Sequence, residues 1–535
     1  LAAAAPAQSW NADWTLENDR LVATYGWSAE GWFRLVSLED KRTTRVWRAS
    51  SQSEAGLLRL GTAGGRAINA QTVYALPLVS AEQTAGGGKR LVFVLPPLEM
   101  AAEVVLEAEV YPGQPFLRHR WRFKNLATRS VTLTSAAFLD VSFEAEGQMF
   151  RAFRVNQWVE GGMQGNFETE QTQLAPLGKA WVVESGSFAQ HCGWAALRDG
   201  RNNGLVAGWE FNGRAQMWLE QIPEKASLSL TGWVLSLNQS VAAGQVFEAP
   251  AVFLGSFRGD WDEAGYQTQQ FVETVLAAPA PDRPSFPWVA WDSWGYDDDI
   301  DEALLQRAAE VAARLGVELF TVDLGWARRL GDWHADERKF PSGMKALSDY
   351  VHARGMKFGL QLPLLEADPA APVLRANRDW TASTSDGFYG AVSLCPGHEP
   401  VKRWLTEEVL RVVRDYGVDW ILVDGVNPVK VCTKRTHTHN SQNSNYANSV
   451  RGIDEILAAV RRQAPQVAWE NCQSGGRMMT FQMVRDYETS ITSDDTSALT
   501  TRQAIHGATY PFPPRYTDRY LGEGLVNKVN LRSGM

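Results

Sequence analysis

The sequence predicts a multidomain protein: a β-rich N-terminal half followed by an α/β half of the (β/α)8 TIM-barrel class. Three observations carry this. In the first half, short runs that alternate apolar and polar residues recur between turn signals. The stretch from 277 to 287 is crowded with proline. From 288 onward strand-like runs alternate with helical ones, and the strand-like runs end in polar residues, often carboxylates. The expected divisions are a β domain over 1–276, a linker over 277–287 and a barrel over 288–535 that stops near its last strand.

Taken in order, strands are expected at Val73–Val79, Arg90–Leu95, Ala102–Val110, Phe116–Phe123, Ser130–Thr134 and Leu228–Leu235. Turn residues such as Pro112-Gly113 and Gly86-Gly87-Gly88 separate several of them. Many short strands of this kind indicate a sandwich or a barrel-like sheet assembly. The pattern turns helical from Trp261 to Val275. In the second half the alternation runs Trp288–Trp291, helix Asp301–Leu315, Val317–Asp323, helix Gly343–Arg354, Met356–Leu362, helix Pro400–Tyr416, Val418–Asp424, helix Ser449–Gln463, Gln466–Glu470 and Thr489–Asp494. A doubly wound sheet is the alternative to a barrel. In a barrel the strand C-termini share one face, so Asp292, Asp323, Asp424 and Asp494 are expected to converge.

Composition narrows the function. Lys and Arg number 52 against 61 Asp and Glu, a net charge of −9, which argues against nucleic acid or an anionic membrane as main partner. No apolar run reaches the roughly 18 residues needed to span a bilayer. The four cysteines, Cys192, Cys395, Cys432 and Cys472, are widely spaced without a CxxC pair, so neither a disulfide framework nor a zinc site is expected. Tryptophan is abundant, 22 residues against 13 Tyr; its flat face suits a sugar ring, while core packing explains the same count. The Ala-rich start, Leu1 to Ser9, resembles the end of a secretory signal peptide, pointing to a secreted or periplasmic protein, with a cytoplasmic one as the alternative.

Convergent carboxylates with abundant aromatics point to glycoside hydrolysis, in which one carboxylate stabilises an oxocarbenium-like centre and another protonates the leaving oxygen. A single Asp at a strand end is often only a helix N-cap; four of them shift the reading towards catalysis.

From Pro287 the chain resembles glycoside hydrolase family 36, the melibiase-type α-galactosidases, in a clan shared with family 27. The resemblance rests on Trp291-Asp-Ser-Trp-Gly-Tyr296, Leu315-Gly-Val-Glu-Leu-Phe-Thr-Val-Asp323-Leu-Gly-Trp326, Gly331-Asp-Trp-His334, Tyr416-Gly-Val-Asp-Trp-Ile-Leu-Val-Asp424, Glu470-Asn-Cys-Gln-Ser-Gly-Gly-Arg477 and Thr492-Ser-Asp-Asp-Thr496, in matching order and spacing. It extends to the N-terminal half through Tyr111-Pro-Gly-Gln-Pro-Phe-Leu-Arg-His-Arg120. It implies an N-terminal β-supersandwich, a catalytic (β/α)8 barrel and a small C-terminal β domain that this chain is expected to lack. It also implies double displacement with retention, Asp424 as nucleophile and Asp494 as general acid/base, with Asp495 the lesser candidate for that role. The implied substrate contacts are Trp291, Asp323, Trp326, Cys472, Gly475 and Arg477, with Trp294 a further wall. No cofactor or metal is implied. The partner is an oligosaccharide or glycoconjugate, and a homo-oligomer fits the family.

Three positions depart from the family pattern. Leu324 stands where a second acid is usual, Leu422 where a hydroxyl-binding Lys is usual, and the glycine run before Arg477 is one residue short. The catalytic pair is kept while sugar-binding groups are lost, so the sugar is left open. An α-N-acetylgalactosaminidase, a raffinose-synthase-like transglycosylase and a non-catalytic carbohydrate-binding protein are the rival readings. The pair His437 and His439 reads as a solvated polar loop rather than a metal site, and the acids of Asp297-Asp-Asp-Ile-Asp-Glu302 as the N-terminus of a helix.

Overall fold

The computed structural model describes residues 14–28, 31–43, 45–51, 53, 55–69, 71–75, 77–158, 165–174, 180–186, 189–277, 286–383, 388–425, 429–437, 452–521 and 528–529. The expected leader at Leu1 to Ser9, most of the 277–287 linker, His439 and the polar loop around it lie outside these residues.

The chain divides into two compact units. One runs up to Asn156 and takes in Thr169–Val275 and Tyr510–Phe512; the other holds Gln157–Glu168, Leu276–Thr509 and Pro513 onward. The main break therefore falls at 275/276. The short Gln157–Glu168 segment, embedded in the β-rich half of the sequence, belongs to the second unit.

The first unit is built from antiparallel sheets: one of ten strands, one of seven and one of four. Strand Phe116–Asn125 shows why. Its even positions Arg118, Arg120 and Arg122 are partly exposed, while His119, Trp121 and Phe123 are buried, the period-two pattern of a strand with one face on a core. Trp121 donates its indole N–H to the Ala137 carbonyl at 3.1 Å, and Phe138 packs on Trp209 at 5.6 Å, so side chains of the two largest sheets interlock in a sandwich-like arrangement. One expected strand begins later than its pattern indicates: Val73–Val79 is replaced by Leu78–Gln83. Pro77 lacks an N–H for the ladder and constrains the residue before it, so regular pairing starts only beyond it.

The second unit holds a sheet of seven parallel strands, Ala290–Asp292, Leu319–Val322, Lys357–Gln361, Trp420–Val423, Ala468–Asn471, Thr489–Ile491 and Thr517–Asp518, in strictly sequential order. A helix separates each consecutive pair: Glu302–Arg314, Met344–His352, Glu399–Tyr416, Ile453–Gln463, Phe481–Asp486 and Ala498–Ala508. Sequential order contains no point at which the winding reverses, so the doubly wound alternative is not what forms. The second, fourth and fifth strands are buried at every position, as parallel strands covered on both faces must be. Helix Glu399–Tyr416 buries Val401, Leu405, Val409, Val412 and Val413 in one stripe, begins with Pro400 in its first turn and ends at Gly417 in the left-handed conformation. The acid run before the first helix does what its position demands, since Asp301 caps it by accepting from the Leu304 N–H at 2.7 Å.

Candidate active site

The polar ends of the parallel strands come together around a cavity of about 1000 Å³. Asp292, Asp323, Asp424, Glu470, Asp494 and Asp518 all line it. Aromatic and apolar walls include Trp291, Trp294, Tyr389, Leu324 and Leu422, and the cavity continues along the strands to Phe286, Trp288 and Trp420.

Asp424 follows directly on strand Trp420–Val423. One carboxylate oxygen accepts from the Ser474 N–H at 2.9 Å, and the other lies 3.5 Å from the Gln361 amide nitrogen. The Ser474 contact depends on an unusual turn: Gln473, Ser474, Gly475 and Gly476 all have positive φ, a conformation that costs energy for residues with a Cβ. At Gly475 a Cβ would sit 2.6 Å from the Asp494 carboxyl, so only glycine lets this turn pass between the two acids' elements. Burial raises the Asp424 pKa, opposed by hydrogen bonds from the Ser474 and Gly425 N–H groups, the Cys472 thiol and Gln361.

Asp494 lies just beyond strand Thr489–Ile491. Its carboxyl is open to the cavity but enclosed by protein walls. Burial, and then the Asp424 charge, push its pKa up to about 6, against a smaller opposing pull from Arg477. Two further acid pairs sit beside this one. Asp323 is hydrogen-bonded to Asp292; burial and the Asp292 charge hold Asp323 well above the carboxylate range, and burial raises Asp292 to about 6. Glu470 is likewise raised by burial and by its contact with Asp518, while the Trp420 indole donates to it at 3.2 Å. Asp292 also caps the turn that follows, accepting from the Trp294 N–H at 2.8 Å, so the capping and cavity roles coexist.

Of the residues named from sequence, Asp424, Asp494, Trp291, Asp323 and Cys472 line the cavity. Three act elsewhere. Trp326 is a correction: it is 1% exposed, stacks on Trp333 at 6.2 Å, meets Tyr416 edge-on and gives its N–H to the Gln361 carbonyl at 3.0 Å. It therefore supports from behind the strand that carries Gln361 and is not a sugar-facing wall. Arg477 stands off the lining, with its guanidinium 5.6 Å from the Trp158 ring centre, and reaches the site through its charge on Asp494. Gly475 provides clearance for Asp494. Trp291 presents one ring face to Phe320, stacked at 4.3 Å.

Several site residues have no sequence signal. Asn166 donates its amide to the Gly475 carbonyl at 3.0 Å and to the Thr492 carbonyl at 3.3 Å, and Gln157 donates to the Arg477 carbonyl. A polar loop more than 300 positions upstream thus braces both the glycine turn and the segment leading to Asp494. Gln361, which also holds Asp424, has no such signal either, whereas Ser474 lies within the Glu470–Arg477 motif.

What the fold and site define is a sequentially wound parallel α/β domain with an acid-lined cavity at the carboxyl ends of its strands. Residues 268–524 match the Melibiase family; the resemblance to glycoside hydrolase family 36 read from the motifs stands. Among curated relatives, an α-galactosidase of Escherichia coli is 28% identical over 236 residues, 41% of this chain and 32% of that protein. Alpha-galactosidase 2 of Pediococcus pentosaceus is 25% identical over 304 residues, 54% of this chain and 40% of that protein. The matched stretches therefore span about a third to two-fifths of those relatives' lengths. Among solved structures, the family 36 α-galactosidase AgaA of Geobacillus stearothermophilus with 1-deoxygalactonojirimycin superposes with a TM-score of 0.83 at 17% identity, covering 98% of this chain and 82% of that one. At that identity the likeness is one of fold.

Proposed function

We propose that the protein is a retaining α-glycosidase that hydrolyses terminal α-galactosides or closely related α-glycosides. The observation that carries this is the opposed environments of Asp424 and Asp494 in one cavity. Burial raises both, but Asp424 receives hydrogen bonds that favour its anion, whereas Asp494 is raised to about 6 by burial and by the Asp424 charge. Two carboxyl groups whose surroundings separate their protonation states divide the roles of nucleophile and acid.

In this reading the seven sequential strands are part of a (β/α)8 barrel with its site at the carboxyl face. The Asp424 carboxylate attacks the anomeric carbon as Asp494 gives its proton to the departing glycosidic oxygen, leaving a glycosyl ester on Asp424. Asp494, now a carboxylate, takes a proton from water as that water attacks the same carbon, and Asp424 is released with net retention. Asp323, Asp292 and Glu470 supply donors and acceptors for sugar hydroxyls, and Trp291 and Trp294 supply apolar walls. Leu324 and Leu422 make one part of the wall apolar, which weakens selection for a hydroxyl there and broadens the range of α-linked sugars admitted. The α-galactosidase relatives support the galactoside assignment.

The test is a panel of nitrophenyl α-glycosides with Asp424→Ala as control. Hydrolysis of the α-galactoside with the α-anomer released first, and its loss in the variant, is expected. A folded chain that hydrolyses no α-linked substrate overturns the reading.

A further inference from the structure

Away from the acid-lined cavity, two cysteines distant in sequence meet. One donor atom each from Cys395, Cys432 and His437 lies within 4.8 Å of the others, and all three residues are buried. The Cys432 sulfur is 3.4 Å from His437 Nε2, and the Cys395 and Cys432 side chains are hydrogen-bonded to each other. The His398 ring lies 4.6 Å from that of His437, centre to centre. This revises two sequence expectations: the cysteines are not all isolated, and His437 is 6% exposed rather than solvated.

We propose that Cys395, Cys432 and His437 form a structural site for a divalent d10 cation of the zinc type, independent of the glycosidase chemistry. Buried cysteines often serve only as small hydrophobes, and Ala382 does pack against this pair. An imidazole nitrogen 3.4 Å from one sulfur and within 4.8 Å of a second is a different arrangement. Bonds of about 2.3 Å to sulfur and 2.0 Å to nitrogen around a tetrahedral ion place donor atoms about 3.5–3.8 Å apart. The observed 3.4 Å contact and the 4.8 Å limit need only small side-chain adjustment to reach that spacing. Charge also balances: two thiols lose two protons to solvent as the ion binds, and two thiolates with a neutral imidazole cancel the 2+ charge, which suits a buried setting. Soft sulfur with imidazole selects zinc-like ions over magnesium or calcium. His398 is the imidazole nearest this group, its ring 4.6 Å from that of His437.

The placement gives the ion a task. Cys395 precedes helix Glu399–Tyr416, while Cys432 and His437 lie on the chain that leaves the Asp424 strand end. An ion held between them ties the segment following Asp424 to the start of that helix.

The test uses the full chain without an affinity tag, stripped with a chelator and titrated with Zn²⁺ or Co²⁺ alone. One ion per chain, a thiolate-to-cobalt charge-transfer band, release of two protons and a higher melting temperature are expected. Cys395→Ser, Cys432→Ser and His437→Gln should each weaken binding by about tenfold or more. Absence of saturable binding, a cobalt spectrum without the thiolate band, or unchanged affinity in the variants overturns the proposal. So does a Cys395–Cys432 disulfide found by mass in denaturant without reductant. The cobalt spectrum of the unsubstituted chain decides the matter even where a variant fails to fold.

Discussion

The N-terminal sheet and the C-terminal cavity treat their acids in opposite ways. On the N-terminal sheet, Glu107 is paired with Arg120 and Arg122, and Glu109 with Arg90 and Arg118; Arg118 also grips Glu210 through two bonds of 2.6 and 2.9 Å. Burial alone would raise Glu109, but the Tyr111 hydroxyl and the two guanidinium groups outweigh it and leave its pKa lowered. Around the C-terminal cavity, no ion pair reaches Asp292, Asp323, Asp424, Glu470 or Asp494 among the described residues, and each of these acids is raised. On the sheet the acids with cations tie neighbouring strands together; at the cavity the acids without one keep raised pKa values. The same residue types differ in their partners, cations on the sheet and other acids around the cavity.

The contrast is broken most severely at Asp424 and Asp494, the proposed nucleophile and acid. Asp424→Ala is expected to lower kcat roughly 10⁴-fold or more while the circular dichroism spectrum is unchanged. Asp494→Asn should cost about 10²–10⁴-fold on natural disaccharides. It should cost less on nitrophenyl substrates, whose leaving group needs little protonation, and the ratio of the two losses measures its role as acid. In the β unit the corresponding substitution acts on stability instead. Arg118→Ala strands Glu210 in a buried position, leaving Glu109 to Arg90 and Tyr111, and should destabilise by about 3–5 kcal/mol in urea unfolding, with kcat per folded molecule unaltered.

Proton linkage sharpens the same comparison. Asp292 and Asp494 are raised from 3.8 to about 6, so the folded chain binds protons there more tightly than the unfolded one. Their stabilising contribution is full below about pH 3.8 and is lost as pH rises through 6. Glu109 is lowered from 4.5, so its contribution is present above that value and is lost as pH falls through its folded pKa. Melting temperatures from pH 4 to 7 should therefore rise for Asp494→Asn relative to the parent, most at the upper end, whereas Glu109→Gln should lose most of its penalty towards the acid end. Activity should fall above about pH 6 as Asp494 gives up its proton. The smallest effect is expected at Trp326→Phe, which removes the bond to the Gln361 carbonyl and costs about 1–3 kcal/mol of stability, leaving KM unmoved because the ring does not face the cavity.

What the sequence disclosed follows the range of the interactions involved. The strand ends bearing Asp424 and Asp494 were legible because period and termination are local properties, and the family resemblance implied their roles. The Pro77 interruption is local too, and its effect on Val73–Val79 follows from the same rules once proline is weighed above hydrophobicity. Trp326 misled because a tryptophan after a strand carries no sign of which way it turns; only Trp333 and Tyr416, brought by other elements, decide that. Asn166, Gln157 and the meeting of Cys395 with Cys432 were invisible for the same reason, since each depends on contacts between distant segments.

The central claim is that Asp424 carries the sugar between the two halves of the reaction. It is tested most directly by treating the chain with a fluorinated α-galactosyl fluoride that slows the second step, then locating the adduct by peptide mass spectrometry. The account predicts one sugar per chain, attached to Asp424, with activity lost in proportion. A label on another residue, or none while the same chain hydrolyses α-galactosides, would contradict it.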